Sequence, residues 1–237
     1  MRLAIDAVGA KHGGAATVAR ALVAAAVESD AFDGVVVFSS PRRMRAFEFP
    51  ASRRLVEVEV PTAERGPLSR VAWHLGGLRE AVRASGAGAL LSLSGGGRAA
   101  GGTPTATFIQ QSLPFSAEAR RTLSWRDRLR TAAIRWDMRL ACTRSGLVLV
   151  QTPTMRDWVA RDFRIAPERI AVVEPGAELP DDDGVRRPEL EEMRAAPEER
   201  RLLYVGNTSP YKNLAALGVA MRRLRRDVPD ALLFATL

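Results

Sequence analysis

The chain is short of the residues that staple small folds or hold metals. Among its 237 residues there is one cysteine, Cys142, which excludes an intrachain disulfide and a cysteine-cluster metal site and fits a reducing compartment. The two histidines, His12 and His74, make no metal-ligand spacing, and no metal is expected. Lysine is almost missing: Lys11 and Lys212 are the only two, so the net charge of +8 is carried by arginine. That basicity admits nucleic acid or an anionic membrane as a partner. No basic block is interleaved with aromatics in a recognisable nucleic-acid motif, so nucleic acid is not expected. Long apolar runs are also absent. Ala21 to Val27 lies between Arg20 and Glu28 and is far too short to span a bilayer, and Asp6 stands where a signal peptide would have its apolar core. These absences point to a cytoplasmic, non-integral protein. With 46% hydrophobic and 26% charged residues, the composition is that of one or two globular domains.

What is present is an alternation of short apolar runs and helical periodicity. Strands are read at 2–8, 34–39, 55–60, 89–93, 105–110, 147–151 and 170–173, and again at 202–205 and 231–236. The run Leu-Val-Glu-Val-Glu-Val at 55–60 has one polar face and reads as an edge strand. Helices are expected at 15–29, 67–85, 153–163 and 189–196, with Thr152 as N-cap and Pro153 at the first helical position of the third. His74, on the second, reads as a surface or partly packed residue. The long basic stretch Ala117 to Arg144 is helical with a break. Its apolar stripe of Leu129, Ala133, Trp136 and Leu140 is expected to pack on the sheet, leaving the arginines solvated. The alternative is that this helix lies on an anionic membrane.

Two strand-to-helix junctions carry chemistry. The first strand runs into Gly9-Ala-Lys-His-Gly-Gly14, a loop that lets backbone approach a ligand. It lacks Gly-x-Gly-x-x-Gly spacing, so no nicotinamide cofactor is expected. The second junction is Leu202 to Val205, then Gly206-Asn-Thr-Ser-Pro, then a helix on which Leu214, Leu217, Met221 and Leu224 share a face. Lys212 and Asn213 stand at its start. A helix N-terminus with a lysine beside it suits a phosphate or diphosphate, and an ordinary βα loop with a solvated lysine is the alternative.

The second junction resembles the opening of the donor domain of GT-B glycosyltransferases, above all the retaining family 4 enzymes, in which Val-Gly ends the first strand and Lys-Asn or Lys-Gly opens the helix. Val205, Gly206, Lys212 and Asn213 hold those positions. Gly13 and Gly14 match the family's N-terminal Gly-Gly loop. Gln110, Pro114 and Phe115 match a Gln-Asn-x-x-Pro-Phe turn on the acceptor side, with Gln111 in the asparagine position. The segment from Thr152 to Gly176 resembles the family's exit from its first domain.

The resemblance implies an α/β fold of GT-B type, with a complete Rossmann-like domain at 1–180 and the linker and first βαβ unit of a second at 181–237. The acidic, turn-rich run Asp181-Asp-Asp-Gly184 marks the boundary. It implies a glycosyltransferase that moves a sugar from a GDP- or UDP-sugar to a glycan or lipid-linked acceptor, with retention. The nucleotide-sugar is a co-substrate, and no other cofactor is implied. Donor diphosphate contacts are implied for Lys212, Gly206, Asn207, Gly13 and Gly14, and acceptor-side contacts for Gln110, Gln111 and Phe115. No catalytic residue is assigned. The chain departs from the family in three ways. Asn207 replaces the arginine after Val-Gly, no histidine stands near Gln110, and no pair of glutamates eight residues apart follows the second junction. The chain is therefore expected to be a fragment, whose alternatives are a non-catalytic remnant that binds acceptor only or a basic nucleic-acid-binding α/β protein. Peripheral association with the inner membrane face is the further expectation.

Overall fold

The computed structural model describes residues 1–10, 14–40, 49–61, 69, 72–93, 102–174, 188–206 and 212–236. It divides into two compact units, Met1–Ser116 with Leu129–Gly176, and Ala117–Arg128 with Ala177–Leu237.

The first unit is built on seven strands: β1 (Arg2–Asp6), β2 (Gly34–Ser39), β3 (Leu55–Glu59), β4 (Ala89–Ser92), β5 (Thr105–Ile109), β6 (Leu147–Val150) and β7 (Ile170–Val172). All neighbours are parallel, in the order β3-β2-β1-β4-β5-β6-β7. Parallel strands need crossovers, which put helices on both faces and make central strands apolar throughout. Accordingly all six residues of β2 are buried, while β3 at the edge exposes Val56, Glu57 and Glu59. Alternate residues serve different faces. Leu3, Ile5, Val35, Val37 and Leu91 pack against α1 (Gly14–Glu28) through Ala19, Val23 and Val27. Ala4, Val36, Phe38 and Leu90 pack on the opposite face, against the π-helical turn Trp73–Gly77 and α2 (Leu78–Ala84).

That second face continues over β5 to β7. There Ile109, Val148, Val150 and Ile170 meet Met138 and Cys142 of α4 (Trp125–Arg144) and Met155, Val159 and Phe163 of α5 (Pro153–Phe163). Thr152 caps α5, its hydroxyl accepting from the Met155 N–H at 3.2 Å, with Pro153 at the first position. On the α1 side, the amino ends of β4 to β6 border an open, largely apolar groove of about 900 Å³, lined by Leu22, Phe32, Ala89, Ala106, Leu147 and Leu149 among others.

The second unit contains α3 (Ala117–Arg121), the opening turn of α4, and α6 (Pro188–Ala195). It also holds a βαβ crossover of β8 (Arg201–Val205), α7 (Leu214–Asp227) and β9 (Leu232–Thr236), whose two strands pair in parallel. The break between α3 and α4 has a local cause. Ser124 accepts from the Asp127 N–H at 3.2 Å and donates to its carboxylate at 2.7 Å, a reciprocal cap that starts a new helix. The apolar face of α7 buries Met221, while Leu203 and Val205 of β8 remain exposed.

The stripe expected to pack on the sheet does not. Leu129 and Trp136 are 64% and 59% exposed, and Thr131, Met138, Ala141 and Cys142 are buried instead. The helix has apolar residues on two sides, and the core takes the side that carries Met138 and Cys142.

Candidate functional site

Strand order places the topological switch point between β1 and β4, because successive connections leave β1 in opposite directions. Ligands of open parallel sheets bind outside the carboxyl ends of the strands at such a point. Asp6 is the last residue of β1 and pairs in register with Ser92, the last of β4. Both are fully buried. A carboxylate at this depth must be compensated, and four groups converge on it. The Val8 N–H reaches Oδ1 at 3.2 Å and the Trp73 indole N–H reaches the same oxygen at 3.3 Å. The Ser92 hydroxyl and His74 Nε2 each lie 3.5 Å from Oδ2.

The π-helical turn makes this possible. Insertion of one residue into the helical ladder shifts the phase of the side chains around it, and here Trp73 and His74 both reach the strand ends. A Cβ on Gly77 would stand 2.9 Å from Trp73 Cε3, so glycine there leaves room for the ring to lie back along the helix. Trp73 also meets Phe38 edge-on, with ring centroids 5.7 Å apart.

His74 lies between two carboxylates, with Nδ1 3.8 Å from Asp137 Oδ2 on α4. Burial alone would lower its pKa, and it is the largest single influence. Asp137 and Asp6 together outweigh it and raise the imidazole from 6.5 to about 9. His74 is therefore a cation at neutral pH, joining β1, the π turn and α4. One residue past β2, the buried Ser40 hydroxyl has no hydrogen-bond partner among the described residues. Among those residues no three His, Cys, Asp or Glu side chains are arranged to hold a metal ion.

The residues singled out from sequence fall at several places. Gly13 and Asn207 lie outside the described residues. Gly14 opens α1, and a Cβ there would meet nothing within 4 Å. Gln110 follows β5 at the carboxyl edge, where its side-chain amide donates to the Leu93 carbonyl at 3.4 Å and ties the ends of β4 and β5 together. Gln111 is exposed. Phe115 is buried, stacked on Trp158 at 6.2 Å and tilted against Phe163 at 5.1 Å. The Arg135 guanidinium lies 5.4 Å from the ring centres of both Phe115 and Phe163, and it donates to the Pro114 carbonyl at 3.0 Å and to Asp162 at 2.9 Å. Phe115 thus fixes the turn after β5 from inside the core.

In the second unit, Lys212 is exposed and immediately precedes Asn213, which adopts a left-handed conformation (φ 52°) as the N-cap of α7. Asparagine tolerates that conformation better than most residues. Gly206 ends β8, and a Cβ there would come within 2.6 Å of the Tyr204 hydroxyl.

Sequence reasoning did not find Asp6 or assign His74 a role. The available signal was an aspartate closing the first strand of a parallel sheet, at the edge where ligands bind.

Residues 12–181 match Glycosyltransferase Family 4. A search of the curated proteins found no match. Among solved structures, the UDP-GlcNAc 2-epimerase of Neisseria meningitidis bound to UDP-GlcNAc superposes with a TM-score of 0.56 at 11% identity, over 100% of this chain and 66% of that one. HepE of Anabaena, in complex with UDP and glucose, gives 0.55 at 15% identity, over 99% of this chain and 60% of that one. A glycosyltransferase of Rickettsia africae gives 0.52 at 12% identity, over 100% and 68%. The chain thus spans roughly three fifths to two thirds of the length of these structures.

Proposed function

The chain belongs to glycosyltransferase family 4, and from that premise we propose that it serves transfer of a sugar from a UDP- or GDP-sugar to a glycan or lipid-linked acceptor, with retention of configuration. The observation that carries the proposal is the switch point between β1 and β4, where Asp6, His74, Ser92 and Gln110 gather at the carboxyl edge of a sheet within the family match. UDP in the HepE complex and UDP-GlcNAc in the epimerase support a nucleotide-sugar donor.

In this reading the bond from the anomeric carbon to the diphosphate breaks, a bond to the acceptor hydroxyl oxygen forms, and the departing diphosphate takes the hydroxyl proton. The protein has to stabilise negative charge on the leaving group. Lys212, with the α7 N-terminus beside it, is the group we assign to that task. Gly206 and Asn207 on the same junction, and Gly13 and Gly14 in the first unit, are the further donor contacts we propose. Gln110, Gln111 and the turn anchored by Phe115 form the acceptor side. The lone buried thiol of Cys142 agrees with a cytoplasmic setting.

Calorimetric titration with a panel of UDP- and GDP-sugars tests this on the native chain and on Lys212→Ala. Binding of one donor, weakened at least about tenfold in the variant, is the expected result, since a charge-assisted phosphate contact is worth on the order of 1.5–3 kcal/mol. Absence of binding to every donor by the folded chain refutes donor binding. Equal affinity in the variant refutes the role of Lys212. Following a bound UDP-sugar by NMR separates transfer from epimerisation at the sugar C2.

A further inference from the structure

The side of α4 that faces away from the sheet is unusual for a solvent-facing helix. From Leu129 onward it presents Leu129, Ala133, Trp136 and Leu140 at spacings of four, three and four, one continuous stripe along the helix. Leu129 and Trp136 are more than half exposed, Ala133 is exposed and Leu140 is half-buried. Arg130 and Arg144 lie along one flank and Arg139 along the other, all three exposed. The acid in this stretch, Asp137, is directed at His74. The inner side of the same helix, with Met138, Ala141 and Cys142, is already committed to the core. The helix is therefore apolar on two sides, and only one has a partner.

Charge and area together decide what fits the outer side. Two side chains the size of Leu129 and Trp136, exposed by these fractions, offer on the order of 250 Å² of apolar surface. That is about a third of the ~800 Å² each partner contributes to a standard protein interface. A stable second copy or protein partner would need more. A bilayer interface needs less. A shallowly inserted tryptophan and leucine gain from the acyl boundary, the indole sits at headgroup depth, and each flanking arginine is attracted to anionic headgroups. Arginine rather than lysine suits this role, because its planar fork can bind phosphate through two hydrogen bonds. No helix among the described residues is long and apolar enough to cross a membrane, so contact would be in the plane of the surface.

We propose that the outer stripe of α4, Leu129–Ala133–Trp136–Leu140 with Arg130, Arg139 and Arg144 at its flanks, docks the protein on the surface of an anionic lipid bilayer. This surface belongs to the first unit and does not depend on the sugar chemistry proposed above.

Co-sedimentation with vesicles tests it, using phosphatidylcholine alone and phosphatidylcholine mixed with phosphatidylglycerol, at low and high salt. Native protein should pellet with the mixed vesicles, at least about tenfold more than with neutral ones, and less at high salt. Its tryptophan emission should shift to the blue, and the shift should shrink in Trp136→Phe placed with Leu129→Ser. Arg130→Glu with Arg139→Glu should abolish pelleting, and Trp136→Ser with Leu129→Ser should reduce it several-fold. All these side chains are exposed, so unchanged circular dichroism and melting will confirm that the variants fold. No pelleting of native protein overturns the proposal. Pelleting undiminished by the Trp136→Ser and Leu129→Ser changes overturns it too, because charge alone is then responsible. Concentration-dependent dimerisation removed by Trp136→Ser would assign the stripe to a second copy instead.

Discussion

Replacing His74 with glutamine should make the first unit less stable at low pH and leave it almost unchanged above pH 9. The reasoning starts from an imidazole 3.5 Å from Asp6 and 3.8 Å from Asp137, raised from 6.5 to about 9. A folded-state pKa above the unfolded one means that the folded state holds its proton more tightly. The stabilisation is then fully present below pH 6.5 and is lost as pH rises through 9. At about 1.4 kcal/mol per pH unit, the His74 proton contributes about 3 kcal/mol at pH 6, about 1.5 at pH 8 and less than about 0.5 by pH 9. The separations exceed those of short charge-assisted hydrogen bonds, so these figures are upper bounds. Glutamine keeps a donor near Asp6 but cannot carry the charge.

The titration can be read directly. The chain has two histidines, so an imidazole proton–carbon correlation spectrum contains two titrating signals, and His74→Gln identifies its own by deletion. Denaturation followed by hydrogen exchange of β1 and β4 amides reports the first unit without interference from the second. The stability difference between native protein and variant should shrink between pH 6.5 and 9. A His74 signal that titrates at or below 6.5 would refute the reasoning. So would a stability difference that does not change with pH.

Two further outcomes follow from the region around α5. Arg135→Ala removes at once the bond to the Pro114 carbonyl, the pair with Asp162 and the stacking on Phe115 and Phe163. Burial opposes the Asp162 charge, but Arg161 and Arg135 hold its carboxyl below the usual range. Asp162 keeps its pair with Arg161, so the loss is one ion pair, one hydrogen bond and the ring contacts, together roughly 2 kcal/mol. The variant should unfold at lower denaturant, and an unchanged midpoint would contradict the arrangement. Cys142 is fully buried, and burial pushes its thiol up to about 12 against the weaker opposing influence of Arg169. It should react with an aromatic disulfide reagent only at the rate of unfolding. Prompt labelling of the folded protein would show that α4 opens locally.

The parallel sheet was legible because its strands obey a local rule. A strand buried on both faces must be apolar throughout, and Gly34 to Ser39 has no other way to be soluble. The alternating Leu55 to Glu59 could only be an edge, and it is. The expected break in the long basic helix has its cause in the Ser124–Asp127 cap, which is visible in four residues. Phe115 was legible as part of a motif, but its core position was not, because that depends on Arg135, Trp158 and Phe163, all distant in sequence.

One sequence reading failed and another was incomplete. Leu129, Ala133, Trp136 and Leu140 form the larger apolar stripe of α4, and hydrophobicity alone assigns it to the core. Thr131, Met138, Ala141 and Cys142 are buried instead, with Met138 and Cys142 in the cluster that holds Ile109, Val148 and Val150. His74 was read as a surface or partly packed residue, and it is partly packed, but its two carboxylate partners were not foreseen. The π turn over Trp73–Gly77 shifts the side-chain phase and directs the imidazole at Asp6, 68 positions earlier in the chain. In both cases the sequence identifies a side chain with an unusual requirement, and only the partner element decides where it is met. The outer stripe of α4 is therefore the more informative case. Its tryptophan and leucine are not needed by the core, and solvent alone gives no reason to keep them between arginines.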